Sequence, residues 1–126
     1  MNSKPKISII RKKLSNLNNR KNKIIFHLLD GKAMIYGFPY KIFKKCGKPT
    51  CKCATGEKHG PYPALSVCLE GKQKLVMVRK EDHVFVFEQA KRFQDFQKAV
   101  TEIRKINDEV DELLKEYKEM TTKEYQ

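Results

Sequence analysis

Three cysteines and a histidine lie close together near the middle of the 126-residue chain. Cys46, Cys51, Cys53 and His59 follow the spacing C-x4-C-x-C-x5-H, with glycines and prolines between and after them. Because glycine and proline favour tight turns, we expect a turning loop on which thiolates and an imidazole converge. Four such ligands form the closed, tetrahedral zinc site that stabilises a fold. The sequence therefore predicts a structural zinc site.

Other interpretations of these cysteines are weaker. Inert, buried thiols would need apolar neighbours, whereas Lys, Gly, Pro and Thr lie between them. A disulfide framework needs an oxidising compartment, and the first residues do not resemble a signal peptide. Either His59 or Cys68 is the fourth ligand. Cys68 lies in an alternating, strand-like segment, where we expect a buried thiol. Without His59 the metal would keep an open position, and a hydrolytic role would have to be considered.

The segment carries a longer pattern, with Cys46-Gly47, Cys51-Lys-Cys53, Gly56 and His59-Gly-Pro-Tyr62. In this it resembles a family of short, basic, functionally uncharacterised bacterial and archaeal proteins with the pattern CG-x3-C-x-C, a glycine and HGPY. The resemblance runs into the long C-terminal helix and leaves residues 1–30 outside. It implies a nucleic-acid setting, since members are often encoded near transposases and other mobile elements. Cys68 lies outside the family pattern, which favours His59 as the ligand.

The positive charge is concentrated in the first half of the chain. Residues 1–60 contain fifteen Lys and Arg against Asp30 and Glu57, a net +13, whereas residues 61–126 contain twelve against thirteen acidic residues, a net −1. Such asymmetry is typical of proteins that bind polyanions, although a solvated lysine-rich surface is the alternative. We predict contacts with DNA or RNA, between which the sequence does not discriminate. The predicted contact residues are Arg11, Lys12, Lys13, Arg20, Lys21, Lys23, Lys44, Lys45, Lys48, Lys52 and Lys58.

Hydrophobic periodicity predicts an α+β fold. A helical stripe runs from Ile7 to Leu17, and the asparagines that follow predict a break near residues 16–22. Residues 33–44 favour a strand, in which Pro39 indicates an edge position or a bulge. Residues 64–69 and 73–79 flank a turn at 70–72 and predict a hairpin. We expect a small zinc-stabilised antiparallel meander of about three strands between a basic N-terminal helix and a long C-terminal helix, with segments 1–31, 32–82 and 83–126.

The last segment predicts one long amphipathic helix over residues 84–120. A second apolar row, formed by Ala99, Ile106, Leu113 and Met120, widens its stripe beyond a two-stranded seam. We therefore expect this helix to pack on the rest of the chain, on a second copy of it or on a protein partner. The heptad positions of its main row are Phe93, Phe96, Val100, Ile103, Asn107, Val110, Leu114 and Tyr117.

These features favour a zinc-binding, nucleic-acid-binding accessory protein that is not an enzyme. The sequence has no paired carboxylates, no nucleophile beside a base and no phosphate-binding glycine loop. No apolar run approaches membrane-spanning length, so we expect no membrane partner and a cytoplasmic location. The alternative is a protein-interaction adaptor that acts through the C-terminal helix and uses zinc only for stability.

Overall fold

The computed structural model describes residues 4–45 and 47–126 of the chain. This part contains the helix α1 (Lys4–Leu28), the strands β1 (Phe38–Lys44), β2 (His59–Leu69) and β3 (Lys72–Met77), and the helix α2 (His83–Thr121). Single turns of 3-10 helix cover Lys52–Ala54 and Lys80–Asp82. The order of these elements confirms the predicted α+β fold, including the long C-terminal helix.

The three strands form one antiparallel sheet in the order β1-β2-β3. A two-residue turn joins β2 to β3, with φ of 53° at Glu70 and 78° at Gly71. Positive φ at both central residues is the geometry that suits the twist of a tight hairpin, and it confirms the predicted turn. Pro39 lies in an edge strand, as predicted, since a central strand would need its missing amide donor.

The first strand is shorter than the sequence predicted. It begins at Phe38, whereas the predicted strand covered residues 33–44. Gly37, directly before it, has φ of 138°, and a Cβ there would meet Val67 Cγ1 at 3.0 Å. The backbone therefore turns at Gly37, close to the side chain of Val67 in β2. Regular pairing of β1 with β2 begins only after that turn.

The chain divides into two compact units, and α2 contributes to both of them. One unit spans residues 32–95 and contains the sheet, where Leu65 and Val67 of β2 pack with Ala90 of α2 in a small apolar core. The predicted segment boundaries at residues 31 and 82 stay a prediction.

The other unit contains α1 and the distal part of α2, within residues 1–31 and 96–126. Its buried apolar side chains are Ile10 and Leu17 of α1 and Ile106 of α2. Arg20 forms an ion pair with Glu102, and Lys21 Nζ donates to Asn107 Oδ1 at 2.8 Å. The two helices are thus linked by polar side chains as well as by apolar packing.

The predicted break in α1 is wrong, because the helix continues from Lys4 to Leu28. The asparagines Asn16, Asn18, Asn19 and Asn22 all lie on its exposed side, whereas Leu17 among them is buried. Each asparagine disfavours a helix by less than about 1 kcal/mol, a cost that packing of the apolar stripe readily outweighs.

The apolar rows of α2 differ in burial along its distal part. Ile106, from the second row, is 1% exposed, and Asn107 beside it is exposed and bound by Lys21. Leu114 and Tyr117, from the predicted main row, are exposed. Neither described helix has an apolar stretch that would suffice to cross a bilayer.

Candidate metal centre

The loop between β1 and β2 brings two cysteines together by consecutive tight turns. The amide of Cys51 donates to the carbonyl of Lys48 at 3.1 Å, and the amide of Ala54 donates to the carbonyl of Cys51 at 3.0 Å. This second turn belongs to the short 3-10 helix that contains Cys53. Cys51 is half-buried and Cys53 is 1% exposed, so local backbone hydrogen bonds hold both thiols on the inner side of the loop.

His59 reaches the same place from the first position of β2, where it pairs with Lys44 at the end of β1. Its Nε2 lies 3.0 Å from the Sγ of Cys51. The ligand atoms of Cys51, Cys53 and His59 all lie within 4.8 Å of one another. We call these three residues the Cys/His cluster.

The geometry and the donor types of the Cys/His cluster suit a metal ion. Zinc bond lengths of about 2.3 Å to sulfur and about 2.0 Å to nitrogen place tetrahedral ligand atoms roughly 3.5–3.8 Å apart. The distance from Cys51 Sγ to His59 Nε2 is 3.0 Å and no pair of ligand atoms is more than 4.8 Å apart, so the three side chains are close enough to share one ion. The Cys/His cluster can therefore hold a metal ion.

The glycine after His59 is required by the close approach of the two strands. Gly60 has φ of 142°, and a Cβ on it would lie 2.7 Å from the carbonyl oxygen of Ile42 and 2.9 Å from Cδ1 of Phe43. The pairing of β1 with β2 shifts register at this point, between Ile42 and Lys44. Gly60 thus lets β2 start close against β1 and so positions the imidazole of His59. Sequence reasoning missed this role, although the glycine directly after the histidine was the available signal.

Cys46, the remaining predicted ligand, lies outside the described residues, and its role stays a prediction. Its neighbours on both sides, Lys45 and Gly47, line a cavity of about 170 Å³ that Cys53 also lines. Lys45 Nζ donates to the carbonyl oxygen of Ala54, one residue after Cys53, at 3.4 Å. The chain on either side of position 46 therefore lies beside the turn that carries Cys53.

Cys68, the rival ligand, is placed elsewhere. It lies near the hairpin end of β2, opposite Gln73, and the described metal-type cluster does not include it. The prediction that Cys68 is buried is wrong, because its side chain is exposed. Alternation along β2 sends Val67 to the core face beside α2 and Cys68 to the opposite face.

Exposed lysines lie close to the members of the Cys/His cluster along the chain. Between residues 31 and 69 the chain contains a single acidic residue, Glu57. Lys44 Nζ lies 5.2 Å from the ring centroid of Tyr62, within the range of a cation–π contact. The predicted contact residues that are exposed in this loop region are Lys44, Lys45, Lys48, Lys52 and Lys58.

The basic residues of α1 fall into two groups in their own unit. Arg20 and Lys21 are engaged by Glu102 and Asn107 of α2. The others predicted to bind nucleic acid, Arg11, Lys12, Lys13 and Lys23, are exposed. The structure thus places the predicted cationic residues in both compact units.

Residues 11–87 match the model of a family described as Domain of unknown function (DUF6788). The chain belongs to this family. The DUF6788 match covers most of α1, the cysteine loop and the whole sheet, and it ends within the first turns of α2. It confirms a family of unknown function, and it includes residues 11–30, which the predicted resemblance left outside. Comparisons with curated proteins and with solved structures gave no match.

Proposed function

We propose that this DUF6788 protein is a zinc-binding accessory protein that binds nucleic acid through the phosphate backbone and catalyses no reaction. The observation that carries the proposal is the density of exposed lysines in the segment that holds the Cys/His cluster, with Glu57 as the single acidic residue from 31 to 69. A polyanion meets a nearly uniform positive field at this loop.

Zinc is the metal that best suits the donor set. Thiolate and imidazole together favour zinc over the harder cations, which prefer oxygen. The Cys/His cluster supplies three ligands, and Cys46 is the proposed fourth, which would close the coordination sphere. A closed site of this kind stabilises a loop and activates no water.

The cluster would make the arrangement of the lysines depend on the metal. Lys52 and Lys48 lie within the turns that carry Cys51 and Cys53, and Lys58 directly precedes His59. Cross-linking the loop through the three ligands fixes the backbone at each of these lysines. Preorganised cations bind phosphates with less loss of conformational entropy than those on a mobile loop.

The exposed cations of α1 would add a second basic patch in the other unit. There Arg20 and Lys21 already have partners on α2, and the distal part of α2 is rich in Asp and Glu. Acidic side chains repel phosphates, so we assign the main contact to the loop and a supporting one to α1.

Replacing Lys48 and Lys52 together by glutamate is expected to weaken binding about 10- to 100-fold at low salt, by a similar factor for different nucleic-acid sequences. Two phosphate contacts are lost and two like charges are added, so the slope of log K against log salt should become shallower by about two units. Fluorescence anisotropy of labelled DNA and RNA across a salt series measures both quantities.

The matched control for this double variant is Lys115→Glu with Lys118→Glu on α2. It makes the same change in net charge at exposed positions in the other compact unit. We expect near wild-type affinity for the control. If both double variants lose affinity equally, net charge alone governs binding, and if neither does, the loop is not part of the interface.

A protein-interaction adaptor is the second candidate, and one observation favours it. Leu114 and Tyr117 lie on the predicted main row of α2 and are exposed, which leaves apolar surface for a partner or a second copy. This candidate differs from the first in predicting negligible affinity for nucleic acid at physiological salt. The mobile-element setting rests on the resemblance alone, and it stays a prediction together with the cytoplasmic location.

A further inference from the structure

One face of the sheet carries large apolar side chains that remain exposed. Directly opposed residues of an antiparallel sheet share a face, and the register aligns Tyr40, Ala64 and Met77 in one row. The neighbouring row aligns Phe38, Ser66 and Leu75. These rows lie on the side opposite to Leu65 and Val67, which pack with Ala90. We call this side of the sheet, formed by the two rows, the open face.

The open face combines small, covered side chains in its middle with large, exposed side chains on both sides. Its middle, on the central strand, is made of small, buried side chains, Ala64 at 0% and Ser66 at 8% exposure. Phe38 and Tyr40 lie on one side, 60% and 53% exposed, and the two aliphatic side chains of β3 lie on the other. The outer strands are roughly 9.5 Å apart, twice the spacing between neighbouring strands.

The charge at the open face favours a polyanion as its occupant. The three strands contain no acidic residue, and of their four lysines Lys44 lies beside the open face, whereas the other three pair with residues of the side that packs on α2. Lys44 places its ammonium group beside the ring of Tyr62, which the register puts on the open face, opposite Ile42. The strands of a second copy would offer no acidic residue to pair with Lys44, whereas the phosphates of a polyanion would. A polyanion that also carries flat apolar groups matches both properties of the surface.

The spacing of the two aromatic residues suits nucleic-acid bases. Side chains two residues apart on a strand are separated by about 6.6–6.8 Å, roughly twice the 3.4 Å rise between stacked bases. Two exposed rings at this separation can each stack on one base. In a duplex those faces are already stacked on one another, so only an unpaired strand offers them.

We propose that the open face binds single-stranded nucleic acid, with successive bases stacked on Phe38 and Tyr40. The inference rests on the proposed nucleic-acid binding and adds the class of ligand and the contact. Phosphates of the same strand would meet Lys44 and the loop lysines, while the rings contact the bases. Stacking of this kind tolerates any sequence, because every base has an aromatic face.

The test compares a short single-stranded DNA with an abasic DNA of the same length, which keeps the phosphates and lacks the bases. We expect the zinc-loaded, full-length protein to bind the base-bearing strand more tightly than the abasic strand and than the same sequence as a duplex. Phe38→Ala and Tyr40→Ala should each weaken binding of the base-bearing strand about 5- to 100-fold and leave the abasic strand unaffected. Tyr40→Phe, which keeps the ring, should bind like the wild type.

Two variants serve as controls. Leu75→Ala changes the β3 side of the open face without removing a ring, and Phe26→Ala removes an exposed ring from α1 in the other compact unit. Phe26→Ala should bind both strands like the wild type, and Leu75→Ala should have a smaller effect than Tyr40→Ala. Circular dichroism and metal content verify the fold of each variant, and the abasic comparison on the wild type needs no variant.

The outcomes separate the two proposals. Equal, salt-sensitive binding of the base-bearing and abasic strands would overturn the stacking inference and leave phosphate binding in place. Binding of neither strand would overturn both proposals. If Tyr40→Ala instead dissociates a dimer and leaves oligonucleotide affinity unchanged, the open face is an interface between copies and the inference is wrong.

Discussion

Cys53→Ser is expected to abolish tight metal binding and to loosen the loop between β1 and β2. Cys53 is 1% exposed, and its thiol belongs to the three-residue Cys/His cluster. Structural zinc contributes apparent binding free energies of about 10–16 kcal/mol, so the ion and the order of the loop are lost together. Removing a residue that only hydrogen-bonds to a metal ligand lowers metal affinity by about 10- to 100-fold. The loss of metal affinity in Cys53→Ser should be larger than that.

Metal content after dialysis against a chelator and amide hydrogen exchange in the loop measure the two effects. Cys68→Ser is the matched control, since it makes the same chemical change at an exposed cysteine outside the cluster. The control should keep its metal, and the amides of its loop should stay protected from hydrogen exchange. Full metal occupancy in Cys53→Ser would show that the metal does not depend on Cys53, which contradicts the Cys/His cluster as its site, and loss of metal in the Cys68 control would place Cys68 among the ligands.

Gly60→Ala is expected to destabilise the protein by about 2–6 kcal/mol and to weaken metal binding. A Cβ would lie 2.7 Å from the carbonyl oxygen of Ile42, so the strands must separate where His59 enters the cluster. The cost combines backbone strain at positive φ, about 1–3 kcal/mol, with overpacking of about 1–3 kcal/mol. Urea unfolding and zinc competition with a chelator measure the free energy of unfolding and the affinity.

The matched control is Gly71→Ala in the hairpin turn. Gly71 also has positive φ, 78°, but a Cβ there meets no atom within 4 Å. The Gly71→Ala variant should lose about 1 kcal/mol of stability from backbone strain alone and keep its affinity for zinc. Equal losses in both variants would mean that the close approach of the strands at Gly60 does not position His59.

Local signals in the sequence predicted much of the fold correctly. The Glu70-Gly71 turn between alternating segments predicted the hairpin, and the long 3-4 periodicity predicted α2. Pro39 predicted an edge strand for a physical reason that the sheet order confirms. The spacing of Cys51, Cys53 and His59 predicted a convergence that the cluster now shows.

The features that the sequence failed to predict depend on contacts between distant segments. The face to which Cys68 points is set by which side of β2 meets α2, and alternation alone does not choose a side. The asparagines of α1 predicted a break because helix propensity takes no account of the packing that buries Leu17. The need for glycine at position 60 arises from the backbone of β1, and the partners of Arg20 and Lys21 arise from α2.

The central claim is that a metal-ordered basic loop binds nucleic acid, and a salt titration of the zinc-loaded wild type beside Cys51→Ser tests it most directly. Metal content is measured on both samples. We predict a steep linear fall of log K with log salt for the wild type, and for Cys51→Ser a loss of zinc together with weaker binding and a shallower slope. Wild-type protein that contains zinc and does not bind at physiological salt, or a metal-free variant that binds as tightly as the wild type, would contradict the claim.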